Sequence, residues 1–184
     1  MGATSKRILG IDPGTVVMGY GLIEIVDKEP KIIQTGVIKT AGFKDHYLKL
    51  KQIFIRTQHL INEYLPDELA IESPFYGKDI QAMLKLGRAQ GIVMGIALEK
   101  DIPVFEYAPL RVKQAITGMG RASKEQVAYF LNNMFKENEL PKELDATDAL
   151  AVAVCHYLQL KNPAKGKSYK GWEDFIKKNP GRVK

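Results

Sequence analysis

The chain has 184 residues, a net charge of +6 and a single cysteine, Cys155. That length suits one domain with room for a tail, and it buries enough surface to fold without cross-links. One cysteine excludes an intramolecular disulfide, and no Cys/His spacing fits zinc. No run reaches the ~18 apolar residues of a membrane span, and no signal-peptide pattern precedes the first strand. A cytoplasmic protein with no membrane partner is the expectation. The charge is uneven: residues 161–184 hold eight basic and two acidic residues, whereas the first 160 hold 19 of each. The reading is a neutral domain over 1–160 and a basic extension over 161–184, partly disordered or a short helix around Trp172, Phe175 and Ile176. A basic tail suits a polyanion.

In chain order, Ile8–Ile11 reads as a buried strand, because a short apolar run is bounded by turn residues. It ends on Asp12, and Pro13-Gly14 forces a turn. Val16–Val26 and Ile32–Thr40 are β-type runs separated by the Asp27–Pro30 turn, so three strands form an antiparallel meander. Asp45 can cap a helix in which Leu50, Ile53, Phe54, Leu60, Ile61 and Tyr64 recur at helical spacing, and Pro66 ends it. Glu68–Glu72 is a second short strand running into an acid and a turn. A strand reached through a helical crossover pairs in parallel, so Asp12 and Glu72 are expected at the same carboxyl edge of the sheet.

Residues 79–100 form a long helical pattern with Gly87, Gly91 and Gly95 on one face. Each helical Gly costs about 1 kcal/mol relative to Ala, so three together imply a close backbone neighbour, either the sheet or a second helix. Pro103–Tyr107 is the last strand, and Pro109 opens a short helix. After the Gly118–Gly120 loop, Ser123 with Gln126 resembles a capping box. Leu144 starts a final apolar helix running to about Leu160, with Cys155 as a small core residue.

Four acids stand out: Asp12, Glu72, Asp145 and Asp148. The last two are i and i+3 on one helix and share a face, near the helix start, where carboxylates are tolerated. If that helix lies beside the sheet edge, the four converge. Such a group repels itself unless cations bind, and all-oxygen ligation suits Mg²⁺ or Mn²⁺. Two such ions serve phosphodiester hydrolysis. The plainer alternatives are a turn-capping Asp12 and a helix-capping Asp145 with Asp148 as a first-turn acid.

Five stretches together resemble the bacterial RuvC family of Holliday-junction resolvases. They are Ile8–Gly21 (ILGIDPGTVVMGYG), Ala70–Lys78 (AIESPFYGK), Leu84–Gly91 (LKLGRAQG), Pro103–Gly120 (PVFEYAPLRVKQAITGMG) and Asp145–Ala151 (DATDALA). The resemblance runs in order through residues 7–160. It implies an α/β, ribonuclease-H-like mixed five-stranded sheet flanked by helices. It implies a homodimeric endonuclease that makes paired symmetric nicks in four-way junction DNA during recombination and repair, and association with a branch-migration motor. The family's metal-binding acids fall on Asp12, Glu72, Asp145 and Asp148, implying two Mg²⁺ per subunit, with Mn²⁺ as a substitute. Some members carry His at the position of Asp145. The family's junction-wedge aromatic falls on Phe75, and its DNA-contacting lysines fall on Lys113 and Lys124. A ring in a Ser-Pro-Phe-Tyr-Gly loop can stack on unpaired bases.

Three rivals remain at this point. An actin-like ATP-binding protein shares the Gly-x-Asp-x-Gly-Thr loop but clamps nucleotide between two such domains. An RNase-H-like nuclease of ribosomal RNA precursors usually lacks this length and the Phe75 loop. A junction-binding scaffold would not need the four acids.

Overall fold

In a computed structural model, which describes residues 5–74, 79–135 and 140–161, the first strand sets two opposite faces. Along β1 (Lys6–Asp12), Leu9 and Ile11 enter one core and Ile8 enters the other, as the period of two requires. Asp12, two residues beyond Gly10, therefore shares the Ile8 face. β2 (Val17–Val26) and β3 (Glu29–Lys39) complete an antiparallel meander. After α1 (His46–Tyr64), β4 (Glu68–Glu72) pairs in parallel with β1. After α2 (Ile80–Glu99), β5 (Val104–Tyr107) pairs in parallel with β4. The strand order is β3-β2-β1-β4-β5, the mixed five-stranded sheet that the sequence led us to expect.

The meander's turn is tighter than expected. Asp27 and Lys28 both have positive φ, 51° and 69°, and Glu29 and Pro30 already belong to β3. Two positive-φ residues match the twist of a hairpin. Pro30 is tolerated because β3 is an edge strand.

One face of the sheet carries α1 and α2, whose Ile53, Ile61, Val93 and Ile96 pack with Leu9, Ile11, Leu69 and Ile71. Asp45 and Asp79 cap these two helices by accepting hydrogen bonds from the Leu48 and Ala82 amides, at 3.0 and 2.9 Å. The other face carries α3 (Pro109–Thr117), α4 (Lys124–Met134) and α5 (Leu144–Lys161). Ser123 and Gln126 form the expected capping box on α4. Val112, Leu131, Leu150 and Val154 fill the core on this face with Ile8 and Ile23. Cys155 is fully buried there, and burial pushes its thiol up to about 12, so it is inert packing.

α5 lies unusually close to the sheet. A side chain at Gly10 would collide with the Ala149 carbonyl and Ala153, and one at Gly19 would collide with the Asp145 carbonyl. These glycines let α5 descend onto β1 and β2 with its first turn beside the end of β1. A partly buried polar chain also crosses this face. Lys6 donates to Glu68 at 2.5 Å, Glu68 meets His156 Nε2 at 2.7 Å, and His156 Nδ1 meets the Tyr107 hydroxyl at 2.6 Å.

The glycine stripe of α2 does not pack on the sheet. A Cβ at Gly87, Gly91 or Gly95 would meet nothing within 4 Å among the described residues. Of the two neighbours that the sequence allowed, the sheet is therefore ruled out.

Candidate catalytic site

Asp12 and Glu72 are the last residues of β1 and β4. Because Ile11 pairs with Ile71 in a parallel ladder, both carboxylates leave the sheet at one edge. Parity turns both toward the α5 face, since Ala70 lies in the core on that face. Asp148 of α5 joins them. The three acids line a cleft of about 330 Å³ whose other walls include Pro109, Val112, Lys113, Lys124, Val127 and Ala151. Asp12 is paired in register with Gly19, the residue over which the start of α5 lies.

The electrostatics are those of an under-compensated acidic group. Burial, then the charges of Glu72, Asp148 and Asp145, raise the Asp12 carboxyl from its ordinary 3.8 to about 7, against a smaller opposing pull from Lys124. Burial and the Asp148 charge raise Glu72 from 4.5 to about 7, opposed by Lys124 and Lys113. Neither shift needs an unusual backbone. They follow from placing carboxylates together in a partly desolvated pocket, a pattern concentrated at functional sites.

Asp12, Glu72 and Asp148 share the cleft. Asp145, in the first turn of α5, does not line it, although its charge acts on Asp12. Lys113 of α3 lines the cleft, and so does Lys124, the first residue of α4. The Lys124 ammonium donates a short charged hydrogen bond to Asp148, and that bond raises the Lys124 pKa. Phe75 lies outside the described residues. The sequence reading placed Lys124 against phosphate and missed its bond to Asp148. The two are 24 residues apart and on different helices, so no local spacing could have revealed it. Gly19 was likewise missed, because a glycine in a strand pattern says only that something comes close.

The donor set fits a hard divalent cation. It is all oxygen and carries excess negative charge, and a bound cation would offset both the burial and the mutual repulsion that raise Asp12 and Glu72. As the side chains stand, no three Asp, Glu, His or Cys groups among the described residues converge tightly enough to hold one ion, and Asp148 is turned to Lys124 instead.

The mixed sheet flanked by helices, with acids gathered at its carboxyl edge, defines the ribonuclease-H-like class of nuclease folds. The family model for crossover junction endodeoxyribonuclease RuvC matches residues 8–156, and the chain belongs to that family. It is 56% identical over 181 residues to the crossover junction endodeoxyribonuclease RuvC of Bacteroides fragilis, covering 97% of this chain and 96% of that one. It is 50% identical to the Porphyromonas gingivalis protein of the same name, with 100% of both chains covered. Among solved structures it is similar to T. thermophilus RuvC in complex with Holliday junction substrate. That match has a TM-score of 0.78 and 29% identity, and covers 85% of this chain and 95% of that one. The yeast mitochondrial Holliday junction resolvase shares the fold at TM-score 0.62 and 15% identity, over 85% of this chain and 82% of that one. Nucleases of this family are metal-dependent. No helix among the described residues is long and apolar enough to cross a membrane.

Proposed function

We propose that this chain resolves four-way DNA junctions by paired, symmetric hydrolytic nicks, with Asp12, Glu72, Asp145 and Asp148 holding two Mg²⁺ ions per subunit, or Mn²⁺ in their place. The observation that carries the reading is the cleft itself, where under-compensated carboxylates stand beside two lysines. The bound ions supply Lewis-acid stabilisation of the attacking and leaving oxygens of a phosphodiester. The chain's own groups do the rest. Asp12 and Glu72 are fixed by the ends of two hydrogen-bonded strands, which suits a site that must hold its geometry. Lys113 and Lys124 flank the acids and suit contacts to the phosphates on either side of the cut. Lys124 would exchange its Asp148 partner for phosphate. The expected products carry a 5′-phosphate and a 3′-hydroxyl. The substrate class is supported by the T. thermophilus relative, whose structure is described as a complex with Holliday junction substrate.

Symmetric cutting needs two sites, and a homodimer provides them. The open glycine face of α2 supports this, because it lies beside a groove lined by Phe54, Gln58, Ile92, Gly95, Ile96 and Glu99. Phe54 of α1, which lines that groove, is more than 40% exposed, and two such faces can approach closely. A bulky substitution, Gly91→Leu, is expected to shift the dimer toward monomer in sedimentation and to uncouple the two nicks. Residues 1–160 form the nuclease domain, and the basic extension 161–184 adds contacts to DNA arms. Phe75 inserts at the branch point, so Phe75→Ala leaves binding largely intact and impairs cleavage. Coupling to a branch-migration motor completes the proposal.

Incubation with a mobile four-way junction and a linear duplex, with Mg²⁺ or EDTA, tests it. Paired nicks are expected in the junction alone, lost in EDTA and in Asp12→Asn, with binding retained. Equal cutting of ordinary duplex or of RNA hybrids would refute the resolvase reading.

A further inference from the structure

β3 runs parallel to β1, because each is antiparallel to β2. The segments leaving β3 and β4 therefore emerge at the same sheet edge as Asp12, and α1 and α2 both begin there on the face opposite α5. Between these two helix starts and the β1–β2 loop lies a second cleft of about 330 Å³. Thr15 and Val16 form its near wall, and they follow Asp12 by only three and four residues. Its charged groups are Lys44, Lys49 and Lys85, with His46 between the first two and one carboxylate, Asp79.

The charge of this cleft is only partly cancelled from within, since a single carboxylate, Asp79, stands among three lysines. Among the described residues, Lys44, Lys49 and Lys85 have no carboxylate within ion-pair distance. The Asp79 side chain is engaged in capping α2 through the Ala82 amide. His46 Nε2 is fully buried from solvent and has no hydrogen-bond partner, although a buried imidazole nitrogen ordinarily finds one. Three lysines without a carboxylate partner, lining one recess beside an orphaned His46 ring nitrogen, suit the oxygens of a phosphate. Nothing in the fold needs them there. Lys44 and Lys85 are exposed, and α1 is held by Ile53, Leu60 and Ile61 on its buried side.

From this juxtaposition we propose that the cleft between the starts of α1 and α2 grips the sugar-phosphate backbone of junction DNA at a second point, on the far side of the β1–β2 loop from the acidic cleft. The inference rests on the junction-nuclease reading and adds to it a place for the duplex arm. Lys113 and Lys124 stand on one side of the sheet edge, and Lys44, Lys49 and Lys85 stand on the other. DNA lying along that edge is then held on both sides of Asp12, so the β1–β2 loop becomes a ridge beneath the backbone. The lysines contribute charge without reading sequence, and His46 adds a hydrogen bond to a phosphate oxygen once its ring turns into the cleft.

The test uses the full-length chain in EDTA, which allows binding to a four-way junction and to a linear duplex without cutting. Affinity is followed between about 50 and 200 mM salt. Each lysine–phosphate contact contributes about one unit to the slope of log affinity against log salt. The triple variant Lys44→Ala/Lys49→Ala/Lys85→Ala is expected to lose two to three units of slope, which is roughly tenfold or more in affinity near physiological salt. Lys31→Ala, near the start of β3 at the opposite sheet edge, serves as the control and is expected to change neither. His46→Gln, which can still offer a hydrogen bond, is expected to bind better than His46→Ala. If the triple variant melts early, the exposed single change Lys85→Glu is read instead, and it is expected to weaken binding several-fold. A wild-type slope in the folded triple variant would overturn the cleft, as would equal binding by Lys85→Glu. The two readings also fail separately. A chain that nicks junctions with a slope indifferent to the three lysines refutes the cleft and leaves the nuclease standing. A chain that needs the three lysines to bind DNA but never nicks a junction does the reverse.

Discussion

β4 carries two glutamates four residues apart on one face of the sheet, and their surroundings could hardly differ more. Glu68, at the start of the strand, is hydrogen-bonded to Lys6 at 2.5 Å and to His156 at 2.7 Å, and His156 is bonded in turn to Tyr107. Glu72, at the end, has no such partner: burial and then the Asp148 charge raise its carboxyl to about 7, and the more distant pull of Lys124 and Lys113 only partly offsets them. The first acid is a closed account of donors and acceptors. The second is left with charge to share. A buried acid whose partners lie within hydrogen-bond reach holds the fold together, and one whose partners are other acids is available to an outside cation.

The sharpest way to break this contrast is to neutralise each glutamate in turn. Glu72→Gln, like Asp12→Asn, should lower junction cleavage by more than ~100-fold, since even partners one layer away from a metal are worth 10–100-fold. Neither change should lower the melting temperature, because each removes repulsion. Glu68→Gln should do the opposite, retaining cleavage and losing about 1–3 kcal/mol of stability in denaturant titration, as His156 and Lys6 lose a charged acceptor. Gly19→Ala tests the geometry that brings α5 to the acids. Its methyl would strike the Asp145 carbonyl, and a displacement of about 1 Å at a catalytic constellation can cost on the order of a hundredfold in rate.

The smallest expected effect is in pH dependence, where the two regions should move in opposite directions. Asp12 and Glu72 have folded pKa values near 7, above the 3.8 and 4.5 of the unfolded chain. Between those values the folded state binds more protons than the unfolded one. In EDTA, stability should therefore fall as pH rises from about 4 to about 7. The His156 pKa is depressed below 6.5 by burial, against the opposing pull of Glu68. Its contribution is present above 6.5 and is lost as pH falls below that value. Thermal melts of the Asp12→Asn/Glu72→Gln double variant should lose the first slope and keep the second. A double variant with the wild-type profile would mean that these two acids are not the strained groups.

Much of this was legible in the sequence because it is local. A strand that runs into an acid and then into Pro-Gly or Ser-Pro announces an edge carboxylate. Asp45, Ser123 and Gln126 announce their helices. The parallel pairing of β1 with β4 followed from the crossover rule. What was hidden is built from distant segments. The Lys6–Glu68–His156–Tyr107 chain joins four elements, and the Lys44/Lys49/Lys85 cleft joins two helix starts to a loop. The descent of α5 depends on glycines whose neighbours are more than 100 residues away. The hairpin turn was misjudged by two residues because Pro30 reads as a turn residue unless β3 is known to be an edge. Phe75, and the tail beyond Lys161, lie outside the described residues, so the wedge and the basic extension rest on the sequence.

The central claim is that the acids at the end of the sheet, and not the paired glutamate at its start, form a divalent-cation site. Calorimetric titration of Mg²⁺ into the full-length chain without DNA tests it directly, using wild type, Glu72→Gln and Glu68→Gln. Wild type and Glu68→Gln should take up Mg²⁺ with comparable affinity and gain melting temperature, while Glu72→Gln should lose most of both. Uptake undiminished in Glu72→Gln, or abolished in a folded Glu68→Gln, would contradict the account.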